Sequence, residues 1–276
     1  MPFAEIANLE TPALVIDLDA LERNLRRMAD YFAARPCKLR PHAKTHKCAE
    51  IARQQVKLGA IGITCAKLGE AEAMAHGGIE DILIANQVVG PSKVRRLAGL
   101  ARLATLTVAV DDLANAHAIA EAARCAGATV GALVEVDTGM GRCGVPPDPA
   151  TVVRYAQELA RMPGLRFRGL MGYEGHAVLV DDPQERRATA SEAARLLLDC
   201  VAAVRKAGIA VEVVSGGGTG TYDITAECGG FTEIQAGSYV LMDARYLKVR
   251  PEFENALFLA ATVVSRLLAD RPVDHL

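Results

Sequence analysis

The sequence predicts an α/β fold, a (β/α)8 barrel of the TIM type. Three observations carry the prediction: a repeating helix–glycine–strand punctuation, the number of strands it marks, and polar residues gathered at one end of those strands. In "KLGAIGITCA", "HGGIEDILIAN", "CAGATVGALVEVD" and "KAGIAVEVVSGG", an alanine-rich amphipathic stretch ends in glycine and a short β-branched run follows. Glycine suits the left-handed position just past a helix, and a short continuous apolar run reads as a strand buried on both faces.

Taken in order, the first apolar run is "PALVID", residues 12–17, which lies outside the barrel count and has no partner within a barrel. Asp19 then precedes Leu21, Leu25, Met28 and Phe32, with Glu22 three residues on, so a capped helix is expected over about 19–34. Strands follow near 38–43, 60–65, 81–86, 105–110, 130–137, 166–173, 210–215 and 232–236, with helices between them. Asp148-Pro149 and Asp182-Pro183 each set an N-cap before a proline at the first helical position. Eight strands alternating with helices in 276 residues fit a barrel, with a doubly wound open sheet as the rival. The end, "SRLLADRPVDHL", neither caps a helix nor closes a strand.

Composition removes several function classes. A net charge of −2 argues against a polycationic nucleic-acid binder, and 4% aromatics with no tryptophan argue against a stacking platform for single strands. No apolar run approaches the ~18 residues needed to span a bilayer, and residues 1–17 carry no basic-then-apolar leader. The seven cysteines are scattered without a CxxC pair, which speaks against a disulfide framework and a structural zinc knot. The six histidines show no HxH or HExxH spacing, so no complete metal site is read. The expectation is a soluble, cytoplasmic protein.

Barrel active sites sit at the C-terminal ends of strands. The first strand ends in "RPHAKTHK", the fifth in "VDTGMGRCG", the sixth in "GYEGH", the seventh in "SGGGTGTY" and the eighth in "QAGSY". Lys44 points into the mouth, where desolvation and flanking His42, His46 and Lys47 lower its pKa and free its amine for Schiff-base chemistry. A solvated basic loop is the bland alternative. Residues 215–222 form a glycine nest whose bare N–H groups suit a phosphate dianion, and Gly237-Ser238 adds a second small-residue loop beside it. Arg142, between glycines, aims one permanently charged guanidinium at an anionic oxygen. His176 stacks on a flat ligand, moves protons, or is a satisfied loop histidine. Cys65 and Cys143 read as small buried fillers. Lysine, nest and arginine together suggest pyridoxal phosphate.

At these residues the chain resembles the D-threonine aldolase and D-serine dehydratase family, fold-type III pyridoxal phosphate enzymes related to alanine racemase. "RPHAKTHK", "VDTGMGRCGV", "SGGGTGTY" and "EIQAGSYVLMD" carry the resemblance, in order, from about residue 10 to about 265. It implies that Lys44 carries the cofactor as an internal aldimine and that Arg142 faces its O3′. It implies that Gly217, Gly218, Thr219, Gly237 and Ser238 hold the phosphate and that Tyr173 and His176 lie beside the ring. Gln235 falls where alanine racemases place an arginine against the pyridine nitrogen. The resemblance also implies a second, β-rich domain with a divalent metal (manganese, magnesium or zinc), whose ligands are absent from this sequence, and a homodimer. On that pattern residues 1–18 form a strand segment that pairs with the β domain, 19–255 the cofactor-binding barrel, and 256–276 the start of a truncated β domain. "PALVID" is then expected to lack its usual partner. The apolar residues after His176 in "YEGHAVLV" depart from relatives that carry polar and aromatic groups there.

The activity implied is a lyase reaction on β-hydroxy-D-amino acids, a retro-aldol cleavage to glycine and an aldehyde. The alternatives are dehydration of D-serine or 3-hydroxy-D-aspartate, amino-acid racemisation, a non-catalytic pyridoxal phosphate-binding remnant, and a cofactor-free Schiff-base aldolase.

Overall fold

The computed structural model describes residues 8–268 and 271–274. A strand, β1 (Ala13–Ile16), leads into helix α1 (Leu18–Ala33). The helix buries Leu21, Leu25, Met28 and Phe32 along one stripe. Its cap is Asp17, which accepts the Ala20 N–H at 3.0 Å, and not Asp19, which lies in the first turn. Asp17 wins because its own N–H is already fixed on the Ala256 carbonyl at 2.9 Å, holding the chain extended at the helix entrance.

Eight short parallel strands follow: β2 (Lys38–Leu39), β3 (Ile63–Cys65), β4 (Asp81–Ile84), β5 (Thr105–Val110), β6 (Val130–Glu135), β7 (Leu165–Met171), β8 (Val213–Gly216) and β9 (Glu233–Ile234). They are the eight expected strands, and their sheet order is β2-β9-β8-β7-β6-β5-β4-β3. The two edges meet through a parallel bridge between His42 and Thr64, with the Thr64 N–H donating to Pro41 at 2.9 Å, which closes the barrel. Helices α2 (Ala49–Lys57), α3 (Leu68–His76), α4 (Pro91–Leu100), α5 (Leu113–Cys125), α6 (Pro149–Ala160), α7 (Pro183–Lys206) and α8 (Tyr222–Glu227) connect the strands. Asp148 and Asp182 cap α6 and α7 ahead of Pro149 and Pro183, as read from sequence. Gly127 (φ +63°) and Gly208 (φ +79°) take the left-handed turn after α5 and α7.

Strand alternation sorts the core into two regions. Ile82, Val108, Ala132 and Val214 face the helices, whereas Leu83, Ala109, Leu133, Met171 and Val213 form a separate cluster inside the barrel. One pleat below, the buried Arg40 guanidinium donates to Asp81 at 2.7 Å and to Glu233 at 2.8 Å, tying β2, β4 and β9 together. One pleat above come Ala85, Glu135, Tyr173 and Ser215, so the period of two alone carries these residues to the mouth.

Past the barrel, the short helix α9 (Tyr246–Val249) is followed by β10 (Leu257–Ala260), β11 (Val263–Leu268) and β12 (Arg271–Asp274). Two expectations fail here. "PALVID" is not left unpaired: β1 pairs antiparallel with β10, Ala13 opposite Ala260 and Ile16 opposite Leu257. The terminal stretch does form strands, with β11 antiparallel to β12. Both pairings join short segments whose local pattern carries no partner information. Among the described residues no helix is long and apolar enough to cross a membrane.

Candidate active site

A cavity of about 230 Å³ opens at the C-terminal end of the barrel. Its wall brings together Lys44, Arg142, Tyr173, Gly217, Gly218, Thr219, Gln235, Gly237 and Ser238, nine of the ten residues singled out from sequence. The tenth, His176, is exposed and outside the cavity lining, beside the Arg142 loop, where a Cβ on Gly139 would lie 3.3 Å from its Cε1.

Lys44 is not on a strand. β2 ends at Leu39, and Lys44 sits in a single 3₁₀ turn, Ala43–Thr45, whose first N–H donors are met by the preceding histidine: His42 Nδ1 accepts the Lys44 N–H at 3.3 Å. Strand alternation with Arg40 and His42 therefore does not set its direction; the turn does. The side chain opens onto the cavity, yet protein crowds the amine and lowers its pKa, burial first and the Arg142 charge second, with Lys47 adding and Glu70 opposing. The expected cations His42 and His46 do not contribute. Burial drives His42 well below the usual histidine range and His46 to about 4, so both are neutral. The cation that matters arrives from the other side of the barrel.

Arg142 is positioned by a loop that folds back on β6. The Asp137 carboxylate accepts the N–H groups of Gly139 and Gly141 at 3.0 Å, and Val145 exchanges backbone bonds with Glu135 and Asp137. The guanidinium lies 3.8 Å from buried Glu135, which also accepts the Gln87 amide at 2.5 Å. Burial pushes the Glu135 carboxyl up, while the Gln87 bond and Arg142 oppose it. Tyr173 lies near both cations, Lys44 Nζ 5.4 Å and Arg142 Cζ 5.5 Å from its ring centre. Its phenol is pushed up by burial and stays protonated.

The glycine loop after β8 differs from a bare nest. Gly217 N–H donates to Glu174 and Gly218 N–H to Thr221 Oγ1, each at 3.2 Å. The N–H groups of Thr219, Gly237 and Ser238, all in the cavity wall, carry no protein acceptor among the described residues and are available to an anion. A Cβ on Gly218 would lie 2.9 Å from Val178 and 3.2 Å from Tyr173, and one on Gly237 would lie 2.9 Å from His42 Cβ. Glycine is required at both positions because a side chain would collide with these neighbours. The apolar residues after His176 belong to this packing: Val178 is buried behind Gly218 and Gly220 instead of lining the mouth.

Gln235 donates to Ser215 Oγ at 2.8 Å, which fixes a neutral amide in the wall. Cys65 is fully buried, but Cys143 is only partly so and lines the cavity, a correction to its reading as a filler. Sequence reasoning missed Tyr246, which reaches the cavity from α9, and gave no role to Glu174. Tyr246 follows the eighth strand end by a dozen residues, beyond the window in which strand-end motifs were read. Among the described residues no cluster of three or more His, Cys, Asp or Glu could hold a metal ion.

The sequence profile of the alanine racemase N-terminal domain matches residues 16–245. A D-threonine aldolase of an Arthrobacter species is 43% identical over 276 residues, covering 99% of this chain and 73% of that protein. The crystal structure of a D-threonine aldolase from Filomicrobium marinum superposes with a TM-score of 0.92 at 45% identity, over 95% of this chain and 71% of that one. A D-threo-3-hydroxyaspartate dehydratase from Delftia sp. HT23 superposes with a TM-score of 0.82 at 34% identity, over 94% and 69%. The chain thus spans about seven-tenths of the length of these proteins.

Proposed function

Because the chain belongs to the alanine racemase N-terminal domain family, we propose that it is a pyridoxal phosphate-dependent lyase cleaving β-hydroxy-D-amino acids to glycine and an aldehyde. The observation that carries this reading is the meeting of Lys44, Arg142 and two glycine loops around one cavity. The residues fit the cofactor. Lys44 offers a primary amine to its aldehyde, Arg142 a fixed cation to its phenolate oxygen, and the free N–H groups of Thr219, Gly237 and Ser238 a cradle for its phosphate. Gln235 supplies a neutral amide for the ring nitrogen, and Tyr173 packs beside the ring.

When bound, the cofactor supplies the electron sink for the pair released as a bond to Cα breaks. The chain's residues do the rest. The lowered pKa leaves a larger fraction of Lys44 as free amine, able to hold the aldehyde and to be displaced by the substrate amine. Tyr173, protonated and close to both cations, positions and donates without serving as a base. His176, exposed two residues beyond Glu174 on the loop that follows Tyr173, is the base assigned to take the β-hydroxyl proton as the Cα–Cβ bond breaks. In the dehydratase alternative the Lys44 amine takes the α-proton and the β-hydroxyl leaves; the depressed lysine serves either reaction, and the 34% identity to a dehydratase, against 45% to an aldolase, keeps this as the second reading.

The same reading assigns residues 19–255 to the cofactor-binding barrel and segments 1–18 and 256–276 to a β-rich unit, supported by the pairing of β1 with β10 outside the barrel sheet. It includes a homodimer and a cytoplasmic location, which suits seven unpaired cysteines. Its test is to incubate the protein with pyridoxal phosphate, manganese and D-threonine and assay glycine and 2-oxobutanoate separately. Glycine is expected. 2-Oxobutanoate in its place selects the dehydratase, and a colourless protein insensitive to borohydride removes the cofactor reading.

A further inference from the structure

Behind the glycine loop lies a carboxylate that the chemistry above does not use. Glu174 is buried, and its side chain accepts from three groups: the Thr221 hydroxyl at 2.7 Å and the Thr225 hydroxyl at 2.5 Å on Oε1, and the Gly217 N–H at 3.2 Å on Oε2. Because the Thr221 hydroxyl spends its proton on Glu174, its lone pair faces the loop and accepts the Gly218 N–H at 3.2 Å. One side chain on the β7 end thus fixes two successive N–H groups of the loop after β8.

A buried negative charge behind an anion-binding loop repels the anion, so its presence calls for a compensating effect. Geometry supplies it. With Gly217 and Gly218 held inward, Thr219 is the next residue, and its N–H is left without a protein acceptor. The Thr219 hydroxyl accepts the Tyr239 N–H at 3.0 Å, joining this loop to the one after β9. An amide at position 174 does not reproduce this. A carboxylate is acceptor-only on both oxygens, whereas an amide accepting the two hydroxyls turns an NH2 toward the Gly217 N–H.

We propose that Glu174 is a positioning residue that pre-folds the phosphate cradle, so that its removal weakens recognition of the phosphate group selectively. The proposal rests on the pyridoxal phosphate reading above. Its test compares the apo-protein's affinity for pyridoxal phosphate with that for pyridoxal, which has the aldehyde and ring but no phosphate, and adds inorganic phosphate as a competitor.

In the wild-type chain, pyridoxal phosphate should bind far more tightly than pyridoxal and inorganic phosphate should compete. In Glu174→Gln the affinity for pyridoxal phosphate should fall about tenfold or more, the scale of one or two lost charge-assisted bonds. Pyridoxal affinity should hold, and phosphate should cease to compete. Thr221→Val, which removes the hydroxyl that links Glu174 to the Gly218 N–H and leaves the Gly217 and Thr225 bonds to Glu174 in place, should show the same selective loss, which keeps the test decisive if Glu174→Gln does not fold. Equal loss for both ligands, or an unchanged ratio in both variants, overturns the positioning role. A wild-type chain that binds neither ligand overturns the cofactor reading itself, and the positioning role with it.

Discussion

The Lys44 amine stands 5.4 Å from the centre of the Tyr173 ring, and Arg142 faces the same ring at 5.5 Å, so two cations share one aromatic wall. The ring attracts each cation, while burial and, after it, the repulsion between the two cations press on the stronger acid of the pair, the lysine ammonium. Lys44 gives way, since guanidinium does not deprotonate in this range. Replacing Arg142 with methionine should therefore raise the Lys44 pKa. The pH at which the apo-protein half-maximally captures pyridoxal should move upward. An unmoved midpoint would assign the depression to burial and Lys47, without Arg142.

Lys44→Ala should abolish the cofactor's absorbance band, whereas Lys47→Ala and Lys38→Ala should keep it. Lys47 turns its amine to the Lys44 carbonyl at 2.7 Å and to Glu70 at 3.3 Å, and Lys38 to the Arg35 carbonyl at 2.8 Å. Borohydride reduction followed by peptide mapping reads the attachment site. A reduced adduct on any lysine but Lys44 would overturn the assignment.

A Gly218→Val variant should lose cofactor affinity, and the loss should include a steric component. The new Cβ would lie 2.9 Å from Val178 and 3.2 Å from Tyr173, so the substitution displaces neighbours as well as blocking the cradle. Gly218→Ala combined with Val178→Ala should bind the cofactor better than Gly218→Ala alone, because only the Tyr173 contact then remains. Equal affinities in the two variants would place the damage elsewhere.

The barrel was legible because its signals are local: a glycine after each helix, a β-branched run, and a polar cluster at the strand end. Lys44, Arg142 and the two glycine loops follow from that rule alone. What escaped depends on long-range partners. Asp17 and Asp19 are both plausible caps two residues apart, and the Asp17 N–H bond to Ala256 decides between them. Glu174 sits in a motif that was read, but its partners Thr221 and Thr225 are 47 and 51 residues away. The β1–β10 pairing spans nearly the whole chain.

Asn24 should prove to be the fastening of that late pairing. It is 1% exposed on α1; its amide donates to Glu254 O at 2.7 Å, and its carbonyl accepts Glu254 N–H at 2.9 Å. Asn24→Ala strands both backbone groups beside a cavity, at about 2–4 kcal/mol. Denaturant unfolding should show that loss. Hydrogen exchange should quicken at residues 13–16 and 257–260 more than in β5 and β6. A uniform increase would mean that Asn24 supports the helix and not the ribbon.

Stability should fall as the solution is acidified from about pH 6.5 to about pH 4, and His46 should account for part of the fall. Its Nδ1 accepts the Cys48 N–H at 3.0 Å, so the neutral ring carries its proton on Nε2. Burial, with the charge of Lys47 adding, holds the group at about 4 in the folded chain. The ordinary value of ~6.5 applies once the chain unfolds. Above pH 6.5 both states are neutral and the folded chain keeps its full stability. Between 6.5 and 4 the unfolded chain binds a proton that the folded one refuses, so stability rises with pH across this window. Below pH 4 both states are charged and the loss from this residue is complete, at about 3 kcal/mol. His42 acts in the same direction. Carboxylates begin to titrate near the lower end, so the informative quantity is the difference between wild type and His46→Asn. Urea midpoints at pH 7 and pH 4.5 should differ less in the variant than in the wild type. Equal differences would show that the folded chain lets His46 take up its proton.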